Sequence, residues 1–135
     1  TPGLDAVIDI APRLFAPVLE KDLATLGRFP DLYETTSFKG VAQALGWMYV
    51  VERGRLMNGM LHRHLMRRLP FESSIAGTYM AGSSALGLRW QQLASALDGV
   101  SKNPLMVTQV VNGALEAFRV MRHPTPHNTP QQKAA

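Results

Sequence analysis

The 135-residue chain contains no cysteine, so it can form neither a disulfide nor a thiolate metal site. A chain without cysteine is compatible with a reducing compartment, and we expect a cytoplasmic protein. No apolar run reaches the ~18 residues that indicate a transmembrane segment, and we expect no secretory leader because the first residues lack a charged segment followed by an apolar one. No stretch shows the alternation of apolar and polar residues that is typical of a β-strand.

Negative charge is also scarce relative to positive charge. The chain has 14 Lys and Arg residues against 10 Asp and Glu, which gives a formal net charge of +4 and a pI of about 9.9. This excess favours anionic ligands such as carboxylates or phosphates. Basic and aromatic residues are not interleaved, so we expect no nucleic-acid partner. The 46% apolar content fits one globular domain with a single core.

The spacing of apolar residues predicts helices only, and we expect an all-α fold in the form of a compact helical bundle. The first helical stretch is Leu4–Leu26. Pro12 and Pro17 interrupt it, so we expect either a kinked helix or two pieces. Gly27 is a plausible C-terminal stop for this stretch.

The central feature of the sequence is a long helical stretch, about residues 38–69, that follows a loop. Ser37 is a candidate N-cap, and Pro70 should end the helix. Its three glycines are unusual, because each costs about 1 kcal/mol relative to alanine inside a helix. From spacing alone we favour close helix packing at Gly46 and a bend around Asn58-Gly59 over a backbone that lies on a flat ligand.

The second half of the chain predicts two more helical stretches and a tail. The first is about residues 74–97, with a break where small residues cluster between Gly77 and Gly87. Asp98-Gly99 is a turn signal. The last helix is about residues 104–121, with one apolar face formed by Val107, Val110, Val111, Leu115, Phe118 and Met121. We expect residues 123–135, which are polar and contain three prolines, to be a disordered tail.

Few polar residues of the central stretch are candidates for a catalytic group or a metal ligand from the sequence alone. His62 and His64 are two positions apart, so they point to different sides of a helix and do not form a shared metal site. Cations near a helix C-terminus are explained by the helix dipole. Glu52 stands among apolar neighbours, and we interpret it as the partner of Arg53, of Arg55 or of an arginine on another helix. No residue is assigned as a catalytic group or metal ligand.

The segment LGWMYVVERGRLMNG, residues 45–59, resembles the distal-helix motif of bacterial biliverdin-producing heme oxygenases, approximately L-G-x-x-Y-V-x-E-G-S-x-L-G-G. The stretches FAPVLEKDLATLG, LRWQQLASALDG and ALEAF occur in the order and spacing of that family. The resemblance covers most of residues 10–122. It implies a heme-oxygenase-like domain over residues 1–122 that lacks the N-terminal helices, with heme lying between a proximal and a bent distal helix.

The resemblance also implies an activity and a set of heme-binding residues. The family cleaves heme oxidatively to biliverdin, carbon monoxide and iron, using O₂ and electrons from a reductase partner. Its distal glycines let the helix backbone approach the heme. Carried onto this sequence, the heme-binding positions are Gly46, Tyr49, Arg53, Gly54, Met57, Asn58, Gly59 and Phe118. Arginine or lysine side chains would meet the heme propionates.

Two departures from the family pattern support an alternative. Arg53 stands where the family has its first glycine, and Met57 and Asn58 replace the glycine pair, so that Arg53 and Met57 would crowd the space above the iron. The family's proximal histidine lies in an N-terminal helix, whereas no histidine here precedes His62. The alternative is a non-catalytic binding or regulatory subunit of the same fold, whose apolar face a protein partner covers in place of missing N-terminal helices. An unrelated four-helix protein is a third interpretation.

Overall fold

A computed structural model describes residues 3–29, 37–82 and 85–122 of the chain. Within these ranges the structure is helical and contains no strand, which confirms the predicted all-α fold. A 3₁₀ turn at Ala11–Arg13 is followed by seven helices: α1 (Ala16–Thr25), α2 (Val41–Leu56), α3 (Asn58–Arg68), α4 (Pro70–Ala76), α5 (Thr78–Ala81), α6 (Leu86–Ser101) and α7 (Pro104–Arg122). None of the helices described is long and apolar enough to cross a membrane. The predicted tail, residues 123–135, lies outside the described residues.

The first helical stretch is divided into two pieces, as its prolines predict. Pro12 and Pro17 each lie in the first two positions of their element, where a missing N–H removes no helical hydrogen bond. Gly27 ends α1 with a φ of 67°. Its N–H donates to the Ala24 carbonyl, and the N–H of Arg28 donates to the Leu23 carbonyl. This pair of bonds is a Schellman motif and confirms the predicted stop.

The central stretch begins later than its sequence suggests. α2 begins at Val41 rather than Phe38, and its N-cap is Gly40, so the expectation that Ser37 caps this helix is wrong. No side chain caps the first turn of α2. The side-chain oxygen of Gln43 instead accepts a hydrogen bond of 2.8 Å from the N–H of Lys39. A residue inside the first turn thus holds the incoming chain and replaces the expected cap.

The expected interruption of the central stretch is present at Met57, one residue before the predicted position. α2 ends at Leu56 and α3 begins at Asn58. The N–H of Met57 donates to the Gly54 carbonyl over 3.1 Å, a bond between residues three apart that tightens the last turn of α2. We call this break, residues 53–61, the α2–α3 junction. α3 then ends just before Pro70, as predicted.

Two boundaries in the second half differ from the predictions. α4 begins at Pro70, not at Ser74. The turn expected at Asp98-Gly99 is wrong, since α6 continues through both residues to Ser101. Continuing the helix places Val100 in the core, where it is 9% exposed. Burial of this side chain therefore outweighs the local turn preference of Asp-Gly.

The core lies between the N-terminal segment, α2 and α6. Leu45 and Leu93 are its two fully buried large apolar side chains among the residues described. The cluster consists of Leu4, Ile8, Ala44, Leu45, Leu93, Ala96 and Val100. α2 therefore has one face against this core and a second face against α7, with which it makes its most extensive helix contact.

α2 and α7 pack through two glycines. A Cβ atom built on Gly46 would lie 2.8 Å from the backbone nitrogen of Ala114 and still closer to the Val110 carbonyl oxygen. A Cβ atom on Gly113 would overlap the carbonyl oxygen of Gln43. The two backbones can approach this closely only because neither glycine has a side chain. Close packing, the interpretation favoured from the sequence, is therefore the role of Gly46.

This crossing also changes which face of α7 is buried. Gly113 and Ala117 are its buried residues. Most of the apolar face predicted from the spacing is instead exposed by 39% or more, at Val107, Val111, Leu115, Phe118 and Met121. Because the two backbones lie so close together, α7 buries the face that has the smallest residues. Its widest apolar face is therefore exposed.

We predict that Gly46→Ala destabilises the protein by about 1–3 kcal/mol, because the added methyl group forces the α2 and α7 backbones apart. The matched control is Gly54→Ala on the same helix, where no atom lies within 4 Å of the new Cβ. That substitution should stabilise the protein by up to about 1 kcal/mol. Urea denaturation followed by circular dichroism measures both values. Equal effects of the two substitutions would contradict the packing role of Gly46.

Candidate functional site

The α2–α3 junction presents an apolar surface with an uncovered backbone. Its four large apolar side chains are 45–55% exposed: Leu56, Met57, Met60 and Leu61. A Cβ atom on Gly54 would meet nothing within 4 Å, and one on Gly59 would meet only the Arg63 side chain at 3.9 Å. A flat apolar ligand can therefore approach both the side chains and the backbone at this position.

The heme-binding positions carried over from the resemblance fall into three groups. Five of them, Arg53, Gly54, Met57, Asn58 and Gly59, lie together at the α2–α3 junction. Two lie deeper along α2. Gly46 is against the α7 backbone, and the ring of Tyr49 lies 5.8 Å from that of Trp90, centroid to centroid.

Phe118 forms the third group, at the other end of the molecule. α2 and α7 are antiparallel, because Gly46 meets Val110 while Gln43 meets Gly113. At about 1.5 Å per helical residue, Phe118 lies roughly 12 Å beyond Val110 in one direction, and Met57 lies roughly 16 Å beyond Gly46 in the other. The structure thus does not bring Phe118 to the junction. The roles of all eight residues toward a ligand stay predictions.

A cluster of buried charges lies on the inner side of α2. Glu52 is 2% exposed, and its carboxylate lies 3.3 Å from Nε of Arg13 and 3.8 Å from Nε of Arg89. Arg13 also donates hydrogen bonds to the carbonyl oxygens of Asp9 and Arg89. One carboxylate thus connects the 3₁₀ turn, α2 and α6. The interpretation of Glu52 as the partner of an arginine is confirmed.

Arg55, one turn further along α2, completes this cluster. Its guanidinium carbon lies 3.0 Å from the centroid of the Phe15 ring and 5.2 Å from that of Tyr79. These are cation–π contacts, which are strongest where water is excluded, and Arg55 is 4% exposed. Its Nε and Nη1 atoms have no hydrogen-bond partner. Burial lowers the pKa of Arg55, and the nearby charge of Arg89 lowers it further.

Sequence reasoning identified Glu52, with Arg55 among its candidate partners, but not Arg13 and Arg89. Residues 13, 52 and 89 are far apart in the chain, so no local spacing connects them. One signal was available in α6, where Arg89 is buried beside the apolar residues Trp90 and Leu93. A charged residue on the inner side of an amphipathic helix requires a buried counter-charge.

The two histidines of α3 lie in different surroundings. Nε2 of His62 would lie 3.1 Å from a Cβ built on Gly77, so this ring packs against the α4–α5 connection. His64 is exposed. The described residues contain no group of three His, Cys, Asp or Glu side chains that could hold a metal ion.

We predict that Glu52→Gln destabilises the protein by about 3–5 kcal/mol, because it leaves buried arginines without their carboxylate. Glu20→Gln, on the exposed side of α1, is the matched control and should change stability by no more than about 0.5 kcal/mol. Chemical denaturation at neutral pH measures both. A cost for Glu52→Gln as small as that of the control would show that this ion-pair cluster does not hold the segments together.

Comparison with known proteins supports the resemblance noted in the sequence. A family model described as heme oxygenase matches residues 19–123. The matched region includes both the α2–α3 junction and the charged cluster's residues on α2 and α6. Neither a search of curated proteins nor a search of solved structures finds a significant match. Since the family match covers more than half of the chain, the protein belongs to the heme oxygenase family.

Proposed function

We propose that this protein binds heme at the α2–α3 junction and acts as a biliverdin-producing heme oxygenase. The observation that carries the proposal is the position of the helix break. It falls within the segment that resembles the family's distal motif, and there the backbone is open at Gly54 and Gly59. The exposed apolar side chains of the junction suit one face of a porphyrin.

The residues of the junction would contribute in different ways. Met57 and Met60 would contact the porphyrin, since methionine side chains adapt to flat apolar surfaces. Arg53 is exposed at the first position of the junction and would attract a propionate. These residues orient the ligand and set the polarity around it.

Bound heme would supply the redox chemistry, in which O₂ oxidises the porphyrin ring of the heme to give biliverdin, carbon monoxide and iron. The electrons would come from a separate reductase, as is usual in the family. The chain's own contribution would be to bind and orient the porphyrin and to limit water at its covered face. A cytoplasmic site of action, expected from the lack of cysteine, is part of this proposal.

A second candidate function is a non-catalytic subunit of the same fold. The observation that favours it is the presence of long side chains, Arg53 and Met57, where the family has glycines. Both side chains are exposed at the junction and would occupy space that the reaction needs above the iron. In this case a protein partner would cover the exposed apolar surface of the junction.

Hemin titration separates the two candidates. For a heme oxygenase we expect a saturable Soret shift, followed by biliverdin and carbon monoxide when O₂ and a reductase or ascorbate are added. A Soret shift without biliverdin would favour the non-catalytic subunit. No Soret shift at all would contradict heme binding and with it the proposed activity.

The position of the site is tested by Met57→Asp, which places a charge on the expected contact surface. We predict that it weakens hemin binding by about tenfold or more, since burial of a methionine side chain contributes about 1.5–3 kcal/mol. Met66→Asp is the matched control, because Met66 lies further along α3 and is also exposed. Both variants should fold normally, and the Soret titration compares their affinities. Equal hemin affinities of the two variants would show that hemin does not bind at the junction.

A further inference from the structure

The inner side of the α2–α3 junction holds hydrogen-bond donors that lack acceptors. Arg55 is 4% exposed, and its Nε and Nη1 atoms have no partner. The side-chain nitrogen of Asn58 is enclosed and equally without a partner. Residues three apart lie on the same side of a helix, and the backbone at Met57, between them, keeps a helical conformation. The two side chains therefore extend from neighbouring turns on one side of the helix.

Among the described residues, no carboxylate forms an ion pair with Arg55. The charge of Glu52 acts on Arg55, but the ion pairs of this carboxylate are with Arg13 and Arg89. No hydrogen bond joins Glu52 to Nε or Nη1 of Arg55. A buried guanidinium without a counter-charge is unfavourable, and a second negative group would offset this cost.

The aromatic contacts of Arg55 restrict where such a group can bind. The ring of Phe15 covers one face of the guanidinium at 3.0 Å, and the ring of Tyr79 lies within 5.2 Å. Guanidinium N–H groups point outward in the plane of the group, between such faces. A ligand would therefore approach Arg55 edge-on. It must also be small, because the surrounding side chains are themselves buried or half-buried.

We propose that Arg55 and Asn58 form a binding site for a small oxyanion of the carboxylate type. The anion would accept hydrogen bonds from the guanidinium of Arg55 and the amide of Asn58, and would give Arg55 a counter-charge. It would thereby connect the α2–α3 junction to the segment that carries Phe15. This site lies on the inner side of the junction and does not depend on heme, so it goes beyond the proposed function.

Formate, the smallest carboxylate, is the probe for this site. The thermal midpoint of the heme-free protein is measured in increasing sodium formate, with sodium chloride added to keep the ionic strength constant. We expect a rise of several degrees that saturates, as mass action requires for binding to the folded state. A rise that is linear in concentration, or no rise relative to chloride, would overturn the proposal, because general salt effects do not saturate.

Variants assign the effect to the named side chains. Arg55→Met should remove the saturable part of the shift, whereas Arg53→Met, an exposed arginine two positions earlier, should keep it. If Arg55→Met does not fold, Asn58→Leu serves instead and should weaken formate binding at least several-fold. An unchanged formate dependence in the folded variant would overturn the assignment. The measurement needs no heme, so its failure is distinguishable from a failure of the proposed activity.

Discussion

The ion-pair cluster around Glu52 is the interaction on which the other elements depend. Through it, the 3₁₀ turn with Arg13 and the helix with Arg89 make polar contacts to α2 within the core. The cluster lies one to two turns before the helix break, so it fixes the inner side of α2 while the outer side of the junction remains open. A ligand-binding surface requires a rigid inner face and an accessible outer face.

The junction combines features that are unfavourable for stability alone. Gly54 and Gly59 lower helix stability, and Met57 and Met60 leave apolar surface in contact with water. Gly46 is different, since its missing side chain is used in packing against α7. The glycines of one helix thus serve two purposes. Only those near the break leave the backbone open to a ligand, which supports the proposal that heme binds there and not along the whole of α2.

Much of the fold could be predicted from local signals. Pro12, Pro17 and Gly27 define pieces of the first stretch, and the small and apolar pattern around Asn58 predicts the break. These signals work because proline and glycine act on the backbone within a few residues. The family resemblance added the position of the proposed ligand surface, which apolar spacing alone does not provide.

The rest depends on contacts between distant segments. The outward stripe of α7 was the face expected to be buried, but the helix packs through Gly113 and Ala117, because the glycine crossing allows the two backbones to meet. Asp98-Gly99 remains helical because the following turn reaches the core. Likewise, Arg13 and Arg89 meet Glu52 only after the chain has folded. The spacing of apolar residues in the sequence cannot show which face of a helix packs most closely against another helix.

Hydrogen exchange of the protein with and without hemin tests most directly whether heme lies against the α2–α3 junction. Protection would be measured along the chain by mass spectrometry of proteolytic fragments. The account predicts that hemin slows exchange in residues 53–61 and leaves the outer end of α7, residues 115–122, unchanged. Protection confined to the end of α7 that contains Phe118, or no protection at the junction with hemin bound, would contradict it.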